Sequence, residues 1–179
     1  MTAPQDILTF WFDETPSELH FKQDDELDRR IRDRFGAVHE DLSNHIPDAW
    51  LATHDGLLAA IIVLDQFSRN LHRGSARAFA QDQDALHLAQ LAIERGWDQD
   101  YSEEERQFLY MPFMHGENMD AQDRAVELFT ALRGEERPEY ALGHRDIIER
   151  FGRFPNRNAA LGRETTPEEQ SFLDEGGGY

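Results

Sequence analysis

Residues 56–71 read GLLAAIIVLDQFSRNL. Wound as a helix, this stretch puts Leu57, Leu58, Ile61, Ile62, Leu64 and Phe67 on nearly every side, and a helix apolar all round belongs at the centre of a fold. Asp65 interrupts the run. Arg69 follows it by one helical turn, in the order that favours an ion pair.

On the N-terminal side, Leu27, Ile31, Phe35, Val38, Leu42 and Ile46 recur every three or four residues, one apolar stripe on a helix from Asp24 to Ile46. Gly36 inside it costs about 1 kcal/mol relative to Ala, which predicts a second helix crossing closely there. On the C-terminal side the punctuation predicts helices over 75–95, stopped by Gly96, and from Ser102 to about Met111, bent or ended by Pro112. Further helices read over 118–132, stopped at Gly134, over 138–151, closed by Gly152, and over 167–173. Capping boxes read at Thr15/Glu18, Ser102/Glu105 and Thr166/Glu169. No stretch alternates with a period of two. The expectation is an all-α fold of about eight helices in one domain, residues 1–175, with a flexible glycine tail, 176–179. Long helices in pairs suggest stacked hairpins; because no pattern recurs at a fixed spacing, a plain bundle stays open.

The 179 residues carry 18 Lys+Arg against 36 Asp+Glu, a net charge of −18. Coating a nucleic acid or an anionic membrane requires a basic face, so neither is an expected partner. With 12 Phe, 3 Trp and 4 Tyr the chain has ample surface to bury, which excludes intrinsic disorder. There is no cysteine, so disulfides, thiolate metal sites and a Cys nucleophile are excluded. Met1 to Glu14 holds no basic residue, and Gly56 to Leu64 is far shorter than the roughly 20 residues of a membrane span. A cytoplasmic protein is expected. Lys22 is the only lysine beside 17 arginines; genome composition or salt adaptation is the first explanation, and bidentate anion recognition the second.

Two segments depart from the acidic background. Arg69 to Arg77 holds three arginines and no acid, and Gly143 to Arg163 holds five against Asp146 and Glu149. They contain the motifs DQFSRN, residues 65–70, and FGRFPNRN, residues 151–158. Asp65 reads either as half of a buried pair with Arg69 or as a ligand acceptor or general base tuned by burial. In the second motif Phe151 and Phe154 can anchor a rigid loop from which Arg153, Arg157 and Asn158 project, to cap helix carbonyls or to grip an anion. His115 and Glu117 share a loop after Pro112, but no second ligand stands at metal-binding spacing, and no metal or cofactor is expected. His144, on the stripe of Tyr140, Ile147, Ile148 and Phe151, reads as a hydrogen-bonded core residue. Asp82, Asp84, Asp98 and Asp100 lack the glycine and distal glutamate of a calcium loop and read as solvated acids.

The motifs FWF (10–12), LDQFSRN (64–70), ARAFAQD (76–82), ERQFLYMPFMHGE (105–117), HRDIIERFGRFPNRN (144–158) and LGRETTPEEQSFL (161–173) resemble, in this order, the bacterial DUF924 family of unknown function. The resemblance implies a single tetratricopeptide-like helical array and no established activity. Ser68, Gly116 and Asn156 stand where proline, serine and histidine are usual in that pattern. Asn156 cannot supply the proton chemistry of a histidine, so a mechanism centred there is not expected.

Three functional readings follow. The first is a helical binding domain in which Arg69, Asn70, Arg73, Arg153, Arg157, Asn158 and Arg163 receive the anionic group of a small molecule or a peptide. The second is an enzyme acting on a small acidic substrate, with His115, Glu117, Asp65 and His144 as candidate proton-transfer groups. The third makes the motifs a buried polar network that fixes one helical arrangement. Oligomeric state is set by none of them.

Overall fold

A computed structural model describes residues 2–134 and 138–178. The expected central helix is there. α4 (His54–Ile61) runs without a break through a π-turn, Ile62–Phe67, into α5 (Ser68–Leu71). Every side chain from Leu57 to Leu64 is inaccessible to solvent, as is Phe67. Each of the large ones contributes about 1.5–3 kcal/mol by leaving water.

Around this axis lie α1 (Pro4–Leu8), α2 (Asp25–Asn44) and α3 (Asp48–Leu51) on the N-terminal side. Phe10 and Trp11 follow α1 in a second π-turn and enter the core, where the Phe10 and Phe67 rings flank Phe35 at 4.9 and 5.3 Å. α6 (Asp82–Glu94), α7 (Glu103–His115), α8 (Met119–Arg133) and α9 (Glu139–Phe151) come next, α6 and α7 against α4 and each of α7, α8 and α9 packed on the helix before it. α10 (Asn158–Leu161) and α11 (Pro167–Asp174) close the chain over a smaller apolar cluster of Ile147, Ile148 and Phe154. No strand occurs among the described residues. No described helix is long and apolar enough to cross a membrane. After α11 the Gly177 N–H donates to the Phe172 carbonyl; Tyr179 of the expected tail lies outside the described residues.

Local chemistry explains most boundaries. Ser102 and Thr166 form the expected capping boxes, and Gly134 and Gly152 end α8 and α9 in the left-handed conformation at φ +62° and +69°. Other boundaries differ. The expected helix over 75–95 is a 3-10 turn, Ala76–Ala78, capped by Ser75, followed by the separate α6. Eleven α-helical segments among the described residues replace the expected eight, because short turns of helix carry several of the connections. α7 continues through Pro112 to His115, since Met111, Pro112, Phe113 and Met114 are all buried and packing outweighs one missing N–H. Thr15 caps no helix: its hydroxyl donates to the Phe10 carbonyl at 2.7 Å and closes the π-turn that follows α1. A Cβ on Gly36 would meet nothing within 4 Å, so no helix crosses closely there. The tight approach is at Gly56, where a Cβ would lie 2.7 Å from Trp50 Cα and closer still to its carbonyl oxygen.

Candidate functional site

The π-turn Ile62–Phe67 places Asp65 and Gln66 side by side against α7. Asp65 is fully buried. One carboxylate oxygen receives His115 Nδ1 at 2.6 Å and Arg69 at 3.3 Å; the other accepts from Gln66 Nε2 at 2.5 Å. Burial alone would push the Asp65 carboxyl up, but His115 and Arg69 beside it and the bonds from His115 and Gln66 hold it well below the usual carboxylate range. An ionised carboxylate only accepts, so Nδ1 of His115 carries the proton and Nε2 is the nitrogen left for other chemistry. The His115 side chain keeps 12% of its surface exposed.

Asp82, the first residue of α6, joins the two arginine motifs. It binds Arg69 in fork geometry at 3.0 and 3.2 Å and receives Arg157 at 3.0 Å. Arg157 also donates to the carbonyl of His115, the last residue of α7, and its guanidinium lies 4.5 Å from the Phe79 ring and 4.6 Å from that of Phe154. Burial pulls the Arg157 pKa below its ordinary value, with Asp82 opposing and Arg69 adding to the fall. Glu117 accepts both terminal nitrogens of Arg163, at 2.7 and 3.0 Å, and the backbone N–H of Phe154. Burial pushes its pKa up, yet the bonds from Arg163 and Phe154 bring it below its ordinary value. Arg163 reaches back to Asn158, whose amide donates toward Glu169. His144 hydrogen-bonds the Tyr140 carbonyl through Nδ1; its ring centre is 6.4 Å from that of His115, and burial pushes its pKa down to about 4.

The site differs from expectation at several residues. Asp65, Arg69, Arg157, His115 and His144 come together, with Glu117 and Arg163 beside them. Arg73 and Asn70 instead bind Asp28 of α2, and Arg153 binds Glu169 and the Glu164 carbonyl. Arg157 and Asn158 do not project: both are buried, since Phe154 and Pro155 turn the loop inward and carbonyls and carboxylates await the side chains there. Asp82 and Asp98 are buried acceptors rather than solvated acids, Asp98 taking the Tyr110 hydroxyl at 2.8 Å. Tyr140 leaves the α9 stripe and is 75% exposed. Asp28 did not read as an acceptor because an acid in the first turn of a helix reads as a partner of its dipole; Asp82 read as a solvated acid because it sat inside the helix expected over 75–95.

Three guanidiniums, of Arg69, Arg157 and Arg163, are thus matched by three carboxylates, of Asp65, Asp82 and Glu117. A surface cleft of about 270 Å³ lies elsewhere, lined by Asp98, Arg106, Tyr110, Arg124 and Leu132 among others.

Residues 7–177 match the family model described as bacterial protein of unknown function, DUF924. The chain belongs to the DUF924 family. A solved structure of a protein of unknown function from Agrobacterium tumefaciens is similar to it at 44% identity and a TM-score of 0.89, over 96% of this chain and 97% of that one. No curated protein matches. Ser68, where the resemblance led to an expected proline, has a buried hydroxyl that donates to the Leu64 carbonyl at 2.6 Å. At Gly116 a serine Cβ would stand 2.8 Å from that of Ala121. Asn156 is exposed.

Proposed function

We propose that this protein is an acid–base catalyst in which Asp65 orients His115 and Nε2 of His115 exchanges a proton with a small-molecule substrate. The observation that carries this reading is the 2.6 Å contact between Nδ1 and a fully buried carboxylate, at the end of a helix and beside a second imidazole that burial keeps neutral. All four expected proton-transfer groups lie in this region. An arginine-lined pocket for an anionic small molecule or peptide has less support, because an acidic ligand would have to displace a carboxylate from Arg69, Arg157 or Arg163. For the same reason, the acidity expected of the substrate is not part of this reading. The successive packing of α6 to α9 supports one tetratricopeptide-like domain over residues 1–175, and the acidic composition supports a cytoplasmic protein that binds neither nucleic acid nor membrane.

The charge balance favours a second reading, a structural network that ties α5, α6, α7 and the 151–163 segment together. Turnover of a panel of esters, amides, lactones and phosphoesters by the wild type and by His115→Gln separates the two. Catalysis predicts an activity that falls by about 10²–10⁴-fold in the variant while the helical circular dichroism is kept. Loss of stability without any His115-dependent turnover sinks the catalytic reading in favour of the structural one.

A further inference from the structure

α2 and the end of α5 bring two histidines together. His39 is buried, and its ring centre is 5.2 Å from that of His72. His39 Nε2 lies 2.8 Å from the Ser68 hydroxyl. That hydroxyl gives its only proton to the Leu64 carbonyl, so toward His39 it can only accept. Nε2 therefore carries the imidazole proton, and Nδ1 presents a bare lone pair. This Nδ1 is buried without a partner, and so is Nε2 of His72. Two buried ring nitrogens with nothing to bond are each costly, and here they stand in one place. Glu40, the residue after His39, brings a carboxylate to the same spot: one donor atom from each of His39, His72 and Glu40 lies within 4.8 Å of the others.

We propose that His39, His72 and Glu40 bind a divalent metal ion of the zinc class. Two imidazoles and one carboxylate with solvent in the fourth position is an open tetrahedral donor set, and the absence of cysteine leaves nitrogen and oxygen as the donors this chain can offer. The Ser68 hydroxyl supplies the outer hydrogen bond that fixes a ligand's tautomer. Ligand atoms on a tetrahedral zinc stand about 3.3 Å apart, and rotations of His72 and of the exposed Glu40 side chain supply the remaining approach. Arg77 works against the ion: its guanidinium pairs with Oε1 of Glu40 and adds a positive charge nearby, leaving Oε2 as the donor.

The test titrates Zn²⁺ into the full chain, stripped beforehand with a chelator, in competition with a chromophoric chelator. One equivalent should bind; His72→Gln, at the partly exposed edge, should weaken it at least tenfold with the circular dichroism unchanged, and Arg77→Gln should strengthen it. The absence of a saturable equivalent overturns the proposal. So does binding that is equal in wild type, His72→Gln and His39→Gln, which would place the ion on surface acids. The outcome is independent of His115, so it stands or falls apart from the catalytic reading.

Discussion

Asp82→Ala probes the point where the two arginine motifs meet. The substitution removes three charge-assisted hydrogen bonds, two from Arg69 and one from Arg157. At about 1.5–3 kcal/mol each they would total roughly 4.5–9 kcal/mol, but two facts reduce the loss. Arg69 keeps its bonds to the side chain and carbonyl of Asp65, and it retains access to water. Arg157 is worse placed, because it is nearly closed to solvent and would face Arg69 with no carboxylate between them. Removing one partner of a buried pair costs about 3–5 kcal/mol, and the expected loss falls in that range. For a domain of this size it corresponds to a drop in Tm of roughly 6–20 °C. Urea unfolding followed by circular dichroism measures it, with Glu26→Ala as the control: its pair with Arg29 is exposed, and its removal should be close to neutral. An Asp82→Ala loss under about 1 kcal/mol, no larger than that of an exposed pair, would show that water already screens the two guanidiniums and would refute the reasoning.

Acid should destabilise the protein before its carboxylates protonate. Folded His39 and His144 titrate near 4, against about 6.5 when unfolded, so between these values the unfolded chain binds more protons and stability rises with pH. The contribution, a few kcal/mol at most for each residue, is complete above pH 6.5 and lost on the way down to 4. Below that, protonation of Asp65 and Glu117, both held low, continues the fall. Urea midpoints measured from pH 7 to 4 should flatten in His144→Phe; an unchanged slope counts against a neutral buried His144. At the two informative glycines the expected signs are opposite. Gly36→Ala should stabilise α2 by about 0.5–1 kcal/mol because the new methyl meets nothing, whereas Gly56→Ala should lower Tm by driving a Cβ into the Trp50 backbone. Thermal melts of the pair decide it, and equal effects would remove the crossing at Gly56.

Periodicity and punctuation were enough to specify most of the longer helices. The buried axis at Leu57–Leu64, the stripe of α2, the capping serine and threonine, and the glycines after α8 and α9 each act within one or two turns, so their physics is local and visible in the chain. The motifs also supplied most of the buried polar cluster, since polar side chains set among aromatics must find partners. Which partner each found was a tertiary matter. Asp82 and Arg157 are far apart in sequence, as are Asp28 and Arg73, and charge alone could not distinguish a buried acceptor from a solvated acid. The π-turn that aims Asp65 at His115, the inward turn of Arg157 and the meeting of His39 with His72 depend on how helices pack, and packing is settled by contacts between distant segments. The sequence determined most of the longer helices and their apolar faces because these follow from neighbouring residues; only the tertiary structure decided which charges cancel and which nitrogens are left without a partner.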